Sequence, residues 1–284
     1  MKLLRYGESG AEKPGLLDAE GRIRDLSVFI DDINSSCLTP ETIKVLRALD
    51  PTSLPLVKGS PRLGSCIAKP GKFIAIGLNY TDHAAEANMP IPGEPVVFYK
   101  ADTSICGPND NVVQPRGSTK LDWEIEIAIV IGSKAQYVDE AAATQAIAGY
   151  CIVNDISERA FQIDRGGSQW SKGKGCDTFG PAGPWLVTRD EIEDVQDLDM
   201  WLDVNGIRMQ TGSTSKMIFN CAYLVCYLSQ FMTLMPGDII TTGTPPGVAL
   251  GHDNPPWLKP GDVMTLGIEG LGEQCQTVVA WPGG

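Results

Sequence analysis

The sequence predicts an α+β, β-rich fold rather than a doubly wound parallel sheet. Segments of strand character outnumber helical ones, and no βαβ period repeats along the chain. The longest strand-like run, residues 121–132, is rich in β-branched residues and stops at Gly132. Side chains alternate faces along a strand. Trp123, Ile125, Ile127, Ile129 and Ile131 therefore form one apolar face, and Asp122, Glu124, Glu126, Ala128 and Val130 form the other.

Taken in order, residues 1–68 read as a small N-terminal α/β unit and residues 69–284 as the main domain. Residues 1–6, 15–18 and 22–26 read as strands, with a turn at Asp18-Ala19-Glu20-Gly21. Thr39 caps a short helix that has Pro40 in its first position, and Ile43, Leu46 and Leu49 give that helix its apolar spacing. Pro51, Pro55, Pro61 and Pro70 mark a connecting stretch. Residues 73–77 form a buried strand, and residues 81–88 a short helix stopped by Pro90, Pro92 and Gly93. Residues 96–100 are a strand, 140–148 a helix, and 150–154 a strand ending at Asp155. Residues 157–163 read as helical, followed by a polar, Gly-rich loop to Gly180. Asn205-Gly206 joins strands 201–204 and 207–210 in a hairpin. A helix over 217–232 and strands over 238–241, 262–269 and 274–280 complete the chain.

The formal net charge of −12 argues against nucleic acid and anionic membranes as partners. None of the eight cysteines falls in a C-x-x-C pair, and the start of the chain lacks the apolar core of a signal peptide. Reduced thiols in a cytoplasmic protein are the expectation. The most apolar stretch, residues 221–235, is too short and too polar to span a bilayer.

Glu124 and Glu126 lie about 7 Å apart on one strand face. Ala128 and Val130 continue that face as apolar, so the two acids point toward a buried region. Paired buried carboxylates repel and are costly to desolvate unless a cation joins them, and a hard divalent cation suits oxygen donors. A half-solvated edge strand with two surface acids fits this stretch alone equally well. Asp155, at a strand end, supplies a third carboxylate or caps a helix. His83 and Glu86, spaced i, i+3, share one helix face, where a carboxylate would orient an imidazole as a general base. A surface ion pair is the simpler reading of that pair alone. Residues 166–175 fail the Walker pattern, so nucleotide binding is disfavoured, while Lys172 or Lys174 could balance charge in a site. The loop Gly243-Thr244-Pro245-Pro246-Gly247 offers N–H groups and a hydroxyl to a substrate carboxylate, or is a plain turn.

Together these features resemble the fumarylacetoacetate hydrolase family. The resemblance rests on Gly77-Leu78-Asn79-Tyr80 with Asp82, His83 and Glu86, the Glu124-x-Glu126 strand, Asn154-Asp155, and Gln162. It continues through Lys174-x-x-Asp177-Thr178-Phe179, Gly206, Met217-Ile218-Phe219, Pro236-Gly237-Asp238 and Thr242-Gly243-Thr244-Pro245, in order over residues 72–280. It implies a β-roll preceded by a small N-terminal domain, in a homodimer. By position, Glu124, Glu126 and Asp155 resemble the Mg²⁺ or Mn²⁺ ligands, and His83 and Glu86 the lid dyad that activates water. Lys174 resembles the lysine that stabilises an enolate, and Arg159, Gln162 and Thr244 resemble substrate-positioning residues. The N-terminal unit and residues 266–273 are similar to members acting on 2,4-diketo-3-deoxy sugar acids, such as the L-rhamnonate and L-fuconate derivatives. The implied reaction is metal-dependent C–C hydrolysis of a 2,4-diketo acid to pyruvate and a second acid such as lactate. Rival expectations are acylpyruvate hydrolysis, oxaloacetate decarboxylation, ureidoglycolate lysis, or 2-keto acid binding without turnover.

Overall fold

A computed structural model describes residues 1–86, 90–167 and 169–283, except for the side chains of residues 83–85. Its centre is a mixed sheet with nine strands in line. Their order is Ile23–Asp25, Lys13–Leu17, Lys2–Tyr6, Gly180–Thr188, Ile147–Asn154, Ile125–Ile131, Ile239–Thr241, Phe73–Gly77 and Val96–Tyr99. Ile105–Cys106 runs parallel to Gly180–Thr188, and Phe73–Gly77 parallel to Ile239–Thr241. A second sheet of five strands is ordered Ile207–Ser213, Asp199–Val204, Val263–Ile268, Gly272–Ala280 and Val112–Gln114. This is the mixed, β-rich architecture that the sequence implies.

The alternation along residues 121–132 sorts two cores. Ile125, Ile127, Ile129 and Ile131 enter the larger one, with Leu202, Met264 and Leu266 of the second sheet and Leu224 and Leu228 of the helix Cys221–Ser229. Ala128 and Val130 enter the other, with Leu3, Leu16, Leu38, Ile43 and Leu46. Ile125–Ile131 is paired on both sides and wholly buried, which rules out the edge-strand alternative. The first residues extend the same sheet: Lys2–Tyr6 pairs antiparallel with Gly180–Thr188. The helix Pro40–Arg47 forms as its cap dictates, with the Thr39 hydroxyl accepting from the Thr42 amide. Asn205 and Gly206 both hold positive φ, 52° and 76°, as a two-residue hairpin turn requires.

Five expectations need correction. The run 121–132 breaks at Trp123 and Glu124, and Leu121–Asp122 pairs instead with Ser157–Glu158. Residues 157–163 are therefore not one helix; a π-helical turn, Ala160–Asp164, follows that short strand, closed by the Arg165 amide donating to the Ala160 carbonyl at 2.9 Å. The loop expected to run to Gly180 contains the short helix Ser171–Lys174 and leads into the nine-residue strand Gly180–Thr188. The helix expected over 217–232 spans Cys221–Ser229 only, capped by Asn220, whose side chain accepts from the Tyr223 amide at 2.7 Å. The strand ending at Asn154 also starts earlier than expected, at Ile147. Residues 87–89, the end of the expected helix 81–88, lie outside the described residues.

Among the described residues, no helix is long and apolar enough to cross a membrane. All eight cysteines are free thiols. Near the N-terminus, burial alone would push the Asp18 carboxyl up, but hydrogen bonds from the Arg22 amide and from the Arg24 and Arg22 guanidiniums hold it at about 2. Because its folded value is depressed, its stabilising effect is complete above the unfolded value and is lost as pH falls toward that depressed value. Urea unfolding is therefore expected to show Asp18→Asn clearly less stable than wild type near neutral pH. The gap should narrow as pH drops from about 4 to about 2.

Candidate active site

The break at Trp123-Glu124 places the acids. With the strand ladder interrupted, the Glu124 amide donates to Asn154 Oδ1 at 3.1 Å, and its carbonyl accepts from the Asp155 amide at 2.8 Å. Glu124 thus faces Asp155, which follows the end of the adjacent strand, while Glu126 stays within the sheet. One carboxylate oxygen from each of Glu124, Glu126 and Asp155 lies within 4.8 Å of the others, and all three residues are buried.

Three cations close around them. Lys174 ends the short helix Ser171–Lys174, and its Nζ donates to Glu124 Oε2 at 2.5 Å and Asp155 Oδ2 at 2.7 Å. Lys100 Nζ donates to Asp155 Oδ1 at 2.5 Å and to the Lys174 carbonyl. Arg159 donates from Nη2 to Glu124 Oε1 at 2.6 Å, from Nη1 to Gln162 Oε1 at 2.9 Å, and from Nε to Asp122 Oδ2 at 2.8 Å. Glu126 Oε2 accepts from the Gly243 amide at 2.8 Å. The Thr244 hydroxyl donates to the Ile125 carbonyl at 2.9 Å and accepts from Gln210 Nε2 at 2.8 Å.

Part of this cluster lines a cavity of about 490 Å³. Glu86, Glu124, Glu126, Arg159, Gln162, Lys174 and Thr244 form its polar surface, and Leu78, Phe98, Ile163, Trp170, Val248 and Leu250 much of its apolar wall. Trp170 meets Phe98 edge to face, with ring centroids 5.4 Å apart. Gly77 permits this approach: a Cβ there would lie 2.3 Å from the Trp170 ring. The Glu86 carboxylate accepts from the Gly247 amide at 3.2 and 3.3 Å. His83 belongs to the same helix, Thr81–Glu86, but its side chain is outside the described residues. His252 sits at the end of a short 3-10 turn and is not among the cavity residues. Lys172 instead donates to the Arg165 carbonyl.

Sequence reasoning missed Lys100, Asp122, Trp170 and Gln210. Lys100 leaves a faint signal, a lone cation closing an apolar strand. Asp122 begins the acidic strand face that drew attention to Glu124 and Glu126. Gln210 leaves none: it serves a backbone, its Oε1 accepting from the Ile125 amide at 3.0 Å.

The electrostatics favour an added cation. Burial, then the Asp155 and Glu124 charges, push the Glu126 carboxyl well above the usual carboxylate range. Burial would raise Glu124 too, but the Lys174 and Arg159 charges outweigh it and hold that carboxyl at about 2. Burial acts to lower Lys174, yet the Asp155 and Glu124 charges raise it overall; at Lys100 burial prevails and the ammonium is pushed down. Four buried acids, counting Asp122, face three fixed cations, Lys100, Arg159 and Lys174. The three clustered donors are all carboxylate oxygens, with no thiolate or imidazole among the described groups. That donor set fits Mg²⁺ or Mn²⁺.

The fumarylacetoacetate (FAA) hydrolase C-terminal family matches residues 72–279. The chain belongs to that family. Members of the fumarylacetoacetate hydrolase family are hydrolases or isomerases that act on small molecules with a divalent metal. A Burkholderia cenocepacia (strain HI2424) protein, whose name goes no further than hydrolase, is 62% identical over 277 residues, 97% of this chain and 98% of that one. A Mycobacterium abscessus structure, described as a probable 2-hydroxyhepta-2,4-diene-1,7-dioate isomerase, is 36% identical with a TM-score of 0.83, covering 99% of both chains. Maleylpyruvate hydrolase from Sphingobium sp. SYK-6, in complex with manganese(II) and pyruvate, is 26% identical with a TM-score of 0.82, again covering 99% of both.

Lys100 is expected to be structurally costly to lose. Lys100→Met leaves Asp155 Oδ1 and the Lys174 carbonyl without their shared buried donor. Denaturant unfolding of the metal-free protein should show a loss of about 3 kcal/mol, the scale for breaking one partner out of a buried ion pair.

Proposed function

We propose that the chain hydrolyses a C–C bond in a 2,4-diketo acid, releasing pyruvate and a second carboxylic acid. The observation that carries this reading is the buried Glu124–Glu126–Asp155 cluster, whose two glutamates line a cavity that also presents Lys174, Arg159 and Glu86. Glu124, Glu126 and Asp155 would hold Mg²⁺ or Mn²⁺. When bound, the cation supplies Lewis-acid polarisation of the substrate's carboxylate and 2-oxo oxygens.

The remaining chemistry falls to the chain's own residues. His83, oriented by Glu86, takes a proton from water, and that water attacks the 4-carbonyl carbon. The C3–C4 bond breaks, and its electron pair becomes the enolate of pyruvate. Lys174 places an ammonium against the developing enolate charge. Protonation at C3 gives pyruvate, and the rest of the substrate leaves as a carboxylic acid. Arg159, Gln162 and Thr244, which all line the cavity, orient the substrate there.

The substrate we favour is 2,4-diketo-3-deoxy-L-rhamnonate or its L-fuconate counterpart, for which the second product is lactate. Acylpyruvate hydrolysis, oxaloacetate decarboxylation and ureidoglycolate lysis use the same polarised site. Isomerisation of a 2-hydroxydienedioate is a second reading, favoured by the Mycobacterium abscessus likeness. We read the protein as a cytoplasmic homodimer. A panel of these substrates tests the reading: pyruvate and lactate in equal amounts from the sugar acid support it. Release mainly from acylpyruvates or oxaloacetate moves the substrate, and tight 2-keto acid binding without turnover on any member of the panel contradicts catalysis.

A further inference from the structure

We propose that Asp122 is a positioning residue that couples the seating of Arg159 to the docking of Glu86 through the turn at residues 247–251. Asp122 is fully buried, and its carboxylate accepts four hydrogen bonds. Oδ1 takes the Trp123 amide at 2.8 Å and the Ala249 amide at 2.7 Å. Oδ2 takes Arg159 Nε at 2.8 Å and the Leu250 amide at 3.1 Å. Both oxygens are thus saturated, and each joins one donor from the turn to one from elsewhere.

Both ends of this linkage reach the cavity. Arg159 continues from Asp122 to Glu124 and Gln162. The turn continues to Glu86: the Gly247 amide donates to that carboxylate, and a Cβ at Gly251 would lie 2.9 Å from Glu86 Cδ. Trp123, the neighbour of Asp122, fixes the turn as well, since its indole Nε1 donates to the Gly247 carbonyl at 3.1 Å. An anion that engages Arg159 therefore acts on a guanidinium sharing one carboxylate with the turn on which Glu86 rests. A fully satisfied buried network of this kind transmits displacement because no member can move without exposing an unpaired group.

The inference rests on the reading of Arg159 as a substrate group and Glu86 as part of the dyad. Its test uses oxalate, a planar dianion resembling the enolate of pyruvate, titrated calorimetrically into Mn²⁺-loaded protein. Asp122→Asn keeps the shape but sets an amide N–H₂ against two N–H donors. It should weaken oxalate binding about tenfold, Glu86→Gln about threefold, and the double variant no more than Asp122→Asn alone. Ala249→Pro enters the same cycle if Asp122→Asn fails to fold. It deletes one donor to Asp122 at the first position of a short 3-10 turn, where proline fits, and should couple to Glu86→Gln in the same way. Losses that multiply, or an unchanged affinity in Asp122→Asn, overturn the coupling while leaving the cavity reading intact. Absence of oxalate binding by the wild type overturns both.

Discussion

Glu126→Gln is expected to abolish metal-dependent turnover and to weaken Mn²⁺ binding by more than about a hundredfold, beyond the cost of losing an outer-shell partner. The same change should raise the melting temperature of the metal-free protein. Glu126 is buried beside Asp155 and Glu124, and these push its carboxyl well up. With the folded value above the unfolded one, the stability tied to this group is complete below about pH 4 and is lost as pH rises through the folded value. Glutamine carries no such loss, so its advantage in chelator should grow with pH. Mn²⁺ reverses the order, because ligand binding stabilises the wild type by mass action and the variant hardly at all. Melting curves of both proteins at acid and alkaline pH, with chelator and with Mn²⁺, check the four orderings. A variant less stable than wild type in chelator at alkaline pH would count against the electrostatic account.

His83→Ala should lower kcat by about 10²- to 10⁴-fold, the range for removing a general base. Its Mn²⁺ affinity should stay close to that of wild type. The proposed partner of His83, Glu86, lines the cavity, docked on the Gly247 amide, without being one of the clustered carboxylates. On the proposed mechanism, removing the imidazole takes away proton transfer while Glu124, Glu126 and Asp155 keep their places. Steady-state kinetics beside Mn²⁺ titration separates the two effects, and equal loss of both would contradict the role.

The acids were the most legible part of the site, because a period of two is hard to disguise. Glu124, Glu126, Ala128 and Val130 on one face of an isoleucine-rich sequence run made burial one of two even readings, and both cores follow that alternation. Arg159 and Gln162 were legible only through the family resemblance, and Lys174 before it only as one of two loop lysines able to balance charge, since each depends on contacts across 19 to 50 residues of sequence or on a π-helical turn that local pattern does not announce. Residues 157–163 read as helix because tertiary pairing of Ser157–Glu158 with Leu121–Asp122 overrides local preference. The strand Gly180–Thr188 was hidden by Pro181, Gly183 and Pro184, residues that usually argue against a strand. Met217, Ile218 and Phe219 looked like the first turn of a helix. Asn79 claims them instead: its carbonyl accepts from the Ile218 amide, and its side chain bonds both backbone groups of Phe219, 140 residues away. Lys100 and Asp122 hold the site from behind, and only the folded chain brings them to it.

The most direct measurement is product stoichiometry from a 2,4-diketo acid with Mg²⁺ or Mn²⁺ and again after chelation. One pyruvate and one second carboxylic acid are expected per substrate consumed, with turnover lost in chelator and restored by the metal. Pyruvate release that persists in chelator, or substrate consumed without a second carboxylic acid, would contradict metal-dependent C–C hydrolysis.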